Sequence, residues 1–228
     1  MSTMSSAWKA VLRSLVISSL LSIFLYVCRM VSGESYRYWF LNWNLFLAWL
    51  PVLFSYLLIQ KIRSGKWLSP LPVLLTVLWI GFLPNSFYLV TDFIHLKSTG
   101  EVSLLYDAVM FMTFAWNGQL LGFISVYGVH TELLKRLKSS YVTLLLGALF
   151  LLSGFAIYLG RFLAWNTWDI LINPVGILAD LGERIVHPSH YPTTFSTTAL
   201  FFLTLSTIYY SLYLLLVSLG RASNTKDL

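Results

Sequence analysis

Six long apolar segments dominate this chain, and each is long enough to cross a lipid bilayer. An α-helix rises about 1.5 Å per residue, and roughly 20 residues therefore span the hydrocarbon core of a membrane. Few charged residues interrupt these segments, which cover residues 10–31, 39–60, 68–90, 104–130, 141–163 and 194–219. The pattern predicts an all-α integral membrane bundle of six transmembrane helices.

The composition also indicates that lipid is the solvent of this protein. Hydrophobic residues make up 57% of the 228 residues and charged residues only 11%, with a mean hydropathy of +0.75. A soluble domain carries about 25% charged residues. No low-complexity segment or Gly/Ser linker divides the chain, and we expect a single polytopic membrane domain over residues 1–228.

Basic residues alternate with acidic residues and histidines from one connecting segment to the next. The segments that would face the cytoplasm hold Lys9, Arg13, Lys61, Arg63, Lys66, Lys135, Arg136, Lys138, Arg221 and Lys226. Because cytoplasmic loops are enriched in Lys and Arg, this distribution predicts that both termini lie inside. The net charge of +6 therefore reflects membrane orientation, and we expect membrane lipids rather than nucleic acid as partners.

The one long outer connection, residues 164–193, predicts a short amphipathic helix. Asn173 and Pro174 are a cap residue followed by a proline suited to the first helical position. Apolar residues then recur at helical spacing up to about residue 186, opposite Asp180, Glu183 and Arg184. This helix, at about 174–186, either lies on the outer membrane surface or plugs the top of the bundle, and the loop is also a possible docking place for a protein partner.

Small residues recur on single faces of several predicted helices and indicate helix packing. The stripes are Ser14, Ser18 and Ser22; Gly118 and Gly122; Gly147 and Gly154; and Thr197, Thr204, Ser211 and Ser218. Arg161 lies seven residues after Gly154, and Tyr158 lies one turn before it. We therefore expect Arg161 to point into the bundle and to need an acidic partner, with Asp92, Asp107 and Asp169 at the same depth. His130 is expected at the inner surface.

Polar residues concentrate at the predicted outer ends of the third, fourth and fifth helices. Pro84 should kink or end the third helix, and Asn85 is placed to satisfy freed backbone groups. Asp92 and His95 share a helical face. The candidate catalytic residues are Asp92, His95, Asp107 and Arg161, and the candidate binding residues are Asn85, Asn117, Tyr158, Asn166 and Asp169.

Three interpretations of this cluster remain open from the residues alone. Carboxylates and imidazoles suit a metal such as Zn, Mn or Mg, with His187 or His190 completing the site, although no zinc-protease motif supports it. A His–Asp pair beside an arginine suits hydrolysis or transfer on a phosphate- or lipid-linked substrate. The third interpretation is structural, with Arg161 paired to an acid. The sequence therefore leaves any metal or cofactor unknown.

Three strings of the sequence resemble a catalogued family of membrane proteins. They are LPNSFYLVTDFIHL at 83–96, FAWNGQLLGF at 114–123 and GFAIYLGRFLAWNTWDILINP at 154–174. The chain is similar to the uncharacterised bacterial family DUF1361 from about residue 40 to about residue 215. That resemblance implies a multi-pass protein of a bacterial cytoplasmic membrane, and it supplies no activity or catalytic residue.

The sequence thus leaves three classes of function in competition. The polar residues at the outer face favour an enzyme acting on a lipid-linked or anionic substrate. A non-catalytic accessory or assembly protein would use the outer loop to dock a partner. A small-molecule transporter would need polar groups along its whole path, and the inner halves of the third and fourth helices are almost purely apolar. The oligomeric state is not determined by these patterns.

Overall fold

Helices make up the regular structure of this protein. The computed structural model describes residues 6–65, 69–165 and 169–224, and no β-strand occurs among them. The α-helices of these residues are α1 (Ser6–Ser32), α2 (Phe40–Arg63), α3 (Pro70–Tyr88), α4 (Leu104–Leu133), α5 (Ser139–Phe162), α6 (Asp169–Ile172), α7 (Pro174–Val186) and α8 (Pro192–Asn224). Two 3₁₀ helices, Leu89–His95 and Pro188–His190, follow α3 and α7.

Six helical segments are long and apolar enough to cross a membrane. They are Trp8–Ser32, Phe40–Arg63, Pro70–His95, Leu104–Leu133, Ser139–Phe162 and Pro192–Leu219. The predicted all-α bundle with six spans is therefore confirmed. The chain forms two compact units, which we call unit 1 (residues 1–126) and unit 2 (residues 127–228).

In unit 1, two glycines of α4 bring that helix close to the end of α3. A Cβ atom at Gly118 would lie 2.4 Å from the carbonyl oxygen of Ser86, and one at Gly122 would lie 2.5 Å from the ring of Phe87. Only hydrogen fits at either position. The predicted packing role of this glycine pair is therefore confirmed, and the contact fixes the start of the 3₁₀ helix against α4.

Polar side chains hold α1 to its neighbours in unit 1. The Asn117 side-chain nitrogen donates to Ser22 Oγ at 2.8 Å and lies 3.1 Å from the carbonyl oxygen of Ser18. The indole of Trp49 donates to Ser19 Oγ at 3.2 Å, which links α2 to α1. Hydrogen bonds between helices are favoured in lipid because no water competes for these groups. Ser18 and Ser22 of the predicted serine stripe therefore pack as expected, whereas Ser14 is exposed.

The sequence predicted that Pro84 would kink or end the third helix, and the helix does not end there. Pro84 lies inside α3, and the α-helix continues four residues further to Tyr88 before it becomes 3₁₀. The Asn85 side chain donates to the carbonyl of Phe82 at 3.1 Å, as its position suggested. Tight packing on Gly118 and Gly122 supports this irregular backbone. Irregular backbone at membrane depth is tolerated where it is buried in protein, because lipid cannot form hydrogen bonds with its polar groups.

In unit 2, α5 packs along α8. A Cβ atom at Gly154 would lie 2.7 Å from the carbonyl oxygen of Thr198, whereas Gly147 has nothing within 4 Å of its would-be Cβ. Gly154 is therefore a position of close approach between the two helices. The Thr/Ser stripe predicted to pack on the last span does not do so within the chain, since Thr204, Ser211 and Ser218 are exposed.

The helix predicted at about 174–186 is present as α7, Pro174–Val186. Asn173 is its N-cap, and its side-chain oxygen accepts a hydrogen bond from the Gly176 backbone N–H at 3.0 Å. Pro174 occupies the first helical position, where a missing N–H costs nothing. The local sequence alone therefore sets where this helix begins.

Candidate functional site

Four charged side chains meet at one end of unit 1, and we call them the unit 1 charge cluster: Arg29, Arg37, Glu101 and Asp107. Arg29 lies in the last turn of α1 and Asp107 in the first turn of α4. A cation at a helix C-terminus and an anion at a helix N-terminus each interact favourably with the helix dipole. The two helix ends are thus electrostatically complementary before their side chains touch.

Arg29 is fully buried and is bound by two carboxylates. Its Nε donates to Asp107 Oδ1 at 3.2 Å, and its Nη2 donates to Glu101 Oε2 at 2.6 Å. The guanidinium carbon lies 4.8 Å from the centre of the Tyr38 ring, a cation–π distance. A buried charge is stable only when it is paired and hydrogen-bonded, and Arg29 meets that condition.

The outer edge of the charge cluster reaches solvent. Glu101 also accepts from Arg37 Nη2 at 2.9 Å, and the Arg37 side chain is 50% exposed. The hydrogen bond from Arg37, followed by that from Arg29, lowers the pKa of Glu101 below its ordinary value, although partial burial opposes the shift. The same carboxylate raises the pKa of Arg37. Glu101 and Arg37 are therefore both charged at neutral pH.

Two buried oxygen atoms in this cluster have no hydrogen-bond partner within the part of the chain that the structure describes. They are Asp107 Oδ2 and the Tyr38 hydroxyl oxygen. Burial, followed by the charge of Asp107, raises the pKa of Tyr38, which keeps its hydroxyl protonated as a donor. A carboxylate acceptor and a phenol donor thus remain available beside Arg29.

Asp92 and His95 lie on the 3₁₀ helix that follows α3 and differ in exposure. Asp92 is 1% exposed and accepts a hydrogen bond from the Asn44 side chain at 2.9 Å. His95 is exposed, and its ring packs edge-on against Phe40 with 5.1 Å between the ring centres. Residues three apart on a 3₁₀ helix eclipse each other. His95 therefore lies above Asp92, at the solvent end of the same face.

The candidate residues of unit 2 that the structure describes are Arg161, Asp169 and Tyr158. Arg161 is half-buried in the last turn of α5, and Asp169 is the half-buried first residue of α6. Tyr158 is buried, and its hydroxyl accepts from Arg184 Nε at 3.2 Å. Asn166 lies outside the described residues.

Arg184 holds α7 through several contacts. Its Nη1 donates to the backbone carbonyl of Asp180 at 2.6 Å, and its guanidinium lies 4.7 Å from the centre of the Tyr191 ring. Asp180 Oδ2 in turn accepts from the indole of Trp165 at 2.7 Å. Burial works against the charged form of Arg184. The hydrogen bond to Tyr158 and the nearby charges outweigh it and raise the pKa of Arg184.

His130 corrects a prediction from the sequence. It was expected at the inner surface, but it is 4% exposed. Its Nδ1 lies 2.6 Å from the Tyr209 hydroxyl, and its ring centre is 4.6 Å from that of Tyr213. Both tyrosines belong to α8, four residues apart and therefore on one face of that helix. These two tyrosines cover the histidine. The basic residues near His130 in the sequence did not indicate this burial.

Comparison with known families agrees with the membrane-like fold. Residues 43–213 match the family described as "Protein of unknown function (DUF1361)". The chain belongs to the DUF1361 family. No curated protein and no solved structure matches it.

The geometry of this DUF1361 protein does not single out a metal-binding centre. Among residues 6–65, 69–165 and 169–224, no group of three or more His, Cys, Asp or Glu side chains is arranged to hold a metal ion. Asp107 is bound by Arg29, and Asp92 by Asn44. Carboxylates held in this way keep fixed positions and can polarise or orient their neighbours.

Sequence reasoning on the DUF1361 chain missed the two arginines that are most buried, Arg29 and Arg184. A signal for Arg29 was present, because it lies seven residues after Ser22, on the same face of α1. The same spacing from a small residue was the argument for Arg161. Arg184 gave a misleading signal, since a charged residue on an amphipathic helix is normally expected to face water.

Proposed function

We propose that this membrane protein binds the anionic head group of a lipid or lipid-linked substrate at the end of unit 1 that carries the charge cluster. The observation that carries the proposal is the burial of charged side chains, Arg29 and Asp107, at this end of unit 1. Such residues are costly in a membrane and are usually retained for function. The charge distribution of the sequence favours the outer leaflet as the side on which this end lies.

The side chains divide into an exposed pair and a buried support. Arg37 and His95 are exposed and can reach a head group at the membrane surface. Arg29 and Asp107 lie beneath them, buried and paired. In the proposal, Arg37 contacts the anion and His95 exchanges a proton with the substrate. Asp92 and Asp107 are positioning residues, and Arg161 and Asp169 remain predictions from the sequence.

Lipid binding by purified protein provides the first test. Native mass spectrometry would compare retention of phosphatidylglycerol with retention of phosphatidylcholine by the wild-type chain and by Arg37→Gln. We expect the wild type to retain the anionic lipid at least about fivefold more strongly, and Arg37→Gln to lose most of this preference, because an exposed cation is removed. Glu34→Gln is the matched control, since Glu34 is an exposed charged residue of the α1–α2 connection outside the charge cluster.

Turnover provides the second test and separates an enzyme from a non-catalytic binder. Proteoliposomes made from a total bacterial lipid extract would be analysed by lipid mass spectrometry over time, with the wild type compared with His95→Gln. A lipid that is converted by the wild type and by Glu34→Gln, and is not converted by His95→Gln, supports proton transfer by His95.

In the binding test, equal retention of phosphatidylglycerol and phosphatidylcholine by the wild type would overturn the proposal as a whole.

A further inference from the structure

The helix α7 presents its apolar side outward and its polar side toward the rest of unit 2. Asp180 and Arg184 lie on the inner side, where Arg184 is buried. The outer side is an exposed apolar stripe that consists of Val175, Leu178, Ile185 and Val186. The exposed fractions of these four residues are 74%, 66%, 68% and 68%. This arrangement is the reverse of a helix that packs on a water-soluble core.

Fixed contacts maintain this reversed orientation. Arg184 is bonded to Tyr158 of α5 and is covered by Tyr191, and Asp180 is bonded to the Trp165 indole. Rotating α7 to bury the apolar stripe would expose Arg184 and would break these hydrogen bonds. Hydrogen bonds to a charged group stabilise a folded protein more than hydrogen bonds between neutral groups. The inward face is therefore strongly determined, and the apolar stripe must meet whatever surrounds the protein.

Water is an unfavourable neighbour for this stripe. Burying a Val, Leu or Ile side chain is favourable, and the stripe holds four of them in a row along one helix face. A contiguous apolar face of this kind marks a contact with a membrane or with another protein. The position of α7 in the chain favours the membrane.

The helix that carries the exposed stripe lies in the chain between two membrane-spanning helices. The helix α5 ends at Phe162, and α8 begins at Pro192, so that α7 connects two segments long enough to cross the bilayer. Phe162 and Phe195, near the two span ends, are also exposed. We propose that α7 lies in the membrane interface with its apolar stripe inserted among lipid acyl chains, and that α7 thereby anchors the α5–α8 connection to one leaflet.

The mode of attachment follows from the charges of α7. Interfacial helices often carry several Lys or Arg residues that bind anionic lipids. The only Lys or Arg residue of α7 is Arg184, and it is turned inward. Apolar burial rather than charge attraction therefore holds α7 in the membrane. The insertion should consequently be the same in zwitterionic and in anionic bilayers, which distinguishes it from the head-group binding proposed for unit 1.

Site-directed fluorescence in reconstituted vesicles tests this inference. Cys28, the single native cysteine, would be replaced by serine, and one cysteine would be introduced at Leu178, Ile185 or Glu183 and labelled with bimane. Glu183 is the matched control, because it is exposed on the polar flank of the same helix. The full-length variants would be reconstituted in phosphatidylcholine alone and in phosphatidylcholine with phosphatidylglycerol. Circular dichroism would verify that each variant keeps its helical content.

We expect labels at Leu178 and Ile185 to be quenched by doxyl-labelled lipids and to be shielded at least about threefold from aqueous iodide relative to the label at Glu183. Quenching should be alike in the two lipid mixtures. Iodide quenching at Leu178 and Ile185 as strong as at Glu183 would overturn the inference and would point to a protein partner. Lipid quenching that appears only with phosphatidylglycerol would overturn attachment by apolar burial.

Discussion

Each unit of this DUF1361 protein buries an arginine, and the two arginines are held in different ways. In unit 1, Arg29 is bound by Asp107 and Glu101, which lie 78 and 72 residues away in the sequence. In unit 2, Arg184 is bound by Asp180, four residues away, and by the hydroxyl of Tyr158. Its guanidinium also lies over the rings of Tyr158 and Tyr191. The first arrangement neutralises charge with charge, and the second surrounds one cation with aromatic groups and local acceptors.

This difference separates a long-range restraint from a local one. Removing Arg29 leaves carboxylates on another part of the chain without their cation, and one of these carboxylates, Asp107, is fully buried. Removing Arg184 leaves mostly neutral groups, which tolerate the loss of a cation more easily. We therefore expect the two arginines to differ in both the size and the extent of their effects on stability.

The largest effect is expected from Arg29→Met. The substitution leaves the buried Asp107 uncompensated, and breaking a buried ion pair in this way costs about 3–5 kcal/mol. The free energy of unfolding should fall by that amount in mixed-micelle denaturation. Arg37→Met is the control, because it removes only the exposed cation that binds Glu101, and its effect should be much smaller. Equal losses for the two variants would show that Arg29 is not the central residue of the charge cluster.

A double variant sharpens this prediction. Combining Arg29→Met with Asp107→Asn removes the unpaired charge, and we expect it to recover at least half of the stability lost in Arg29→Met. A double variant no more stable than Arg29→Met alone would mean that packing, rather than charge pairing, accounts for the loss.

Arg184→Ala should have a smaller and more local effect. The lost hydrogen bonds to Tyr158 and Asp180 lead us to expect a decrease of about 1.5–3 kcal/mol. Amide hydrogen exchange should accelerate in α7 and remain unchanged in α2 and α3. Tyr158→Phe is the matched control that removes one hydroxyl acceptor and keeps the ring, and it should cost less than Arg184→Ala. Faster exchange throughout α2 would contradict a local role for Arg184.

The glycines of α5 allow a comparison within one helix. Gly154→Ala places a methyl group 2.7 Å from the Thr198 carbonyl oxygen, and overpacking of this kind costs about 1–3 kcal/mol. Gly147→Ala meets nothing within 4 Å, and should stabilise the helix by up to about 1 kcal/mol. Thermal unfolding of the two purified variants measures the contrast. A destabilised Gly147→Ala variant would imply a close contact at this position from outside the chain.

The smallest effects concern pH, and they should fall on opposite sides of neutrality. The pKa of Glu101 is lowered from 4.5, and the stability it contributes is therefore present above that pH and is lost as pH falls through its folded-state pKa. The pKa of Tyr191 is raised from 10.0, chiefly by its hydrogen bond to Glu183. Its contribution is present below pH 10.0 and is lost as pH rises through the raised pKa.

Melting temperatures measured from pH 3 to 7 and from pH 8 to 11 test both signs. Glu101→Gln should flatten the acid side of the profile, and Tyr191→Phe should flatten the alkaline side. The effects should be modest because both groups are partly exposed. An acid loss of stability that is unchanged in Glu101→Gln would assign the acid sensitivity to another carboxylate.

Local sequence determined the elements that depend only on neighbouring residues. The apolar runs gave the six spans, because a membrane requires about 20 apolar residues to satisfy a helical backbone in lipid. Asn173 and Pro174 predicted the start of α7, because helix capping involves residues only three apart in the sequence. The pair Gly118 and Gly122 indicated close packing without revealing that Ser86 and Phe87 would be the partners.

Only the tertiary structure decided which charges are paired and which helix faces are turned inward. The span pattern places Arg29 and Arg161 near span ends on the same predicted side, and it does not say which of them meets Asp107. That choice depends on how α1 and α4 are rotated about their axes, and contacts such as Asn117 with Ser22 fix those rotations. The reversed face of α7 was likewise decided by Tyr158 and Tyr191, because a buried arginine is stable only where specific partners surround it.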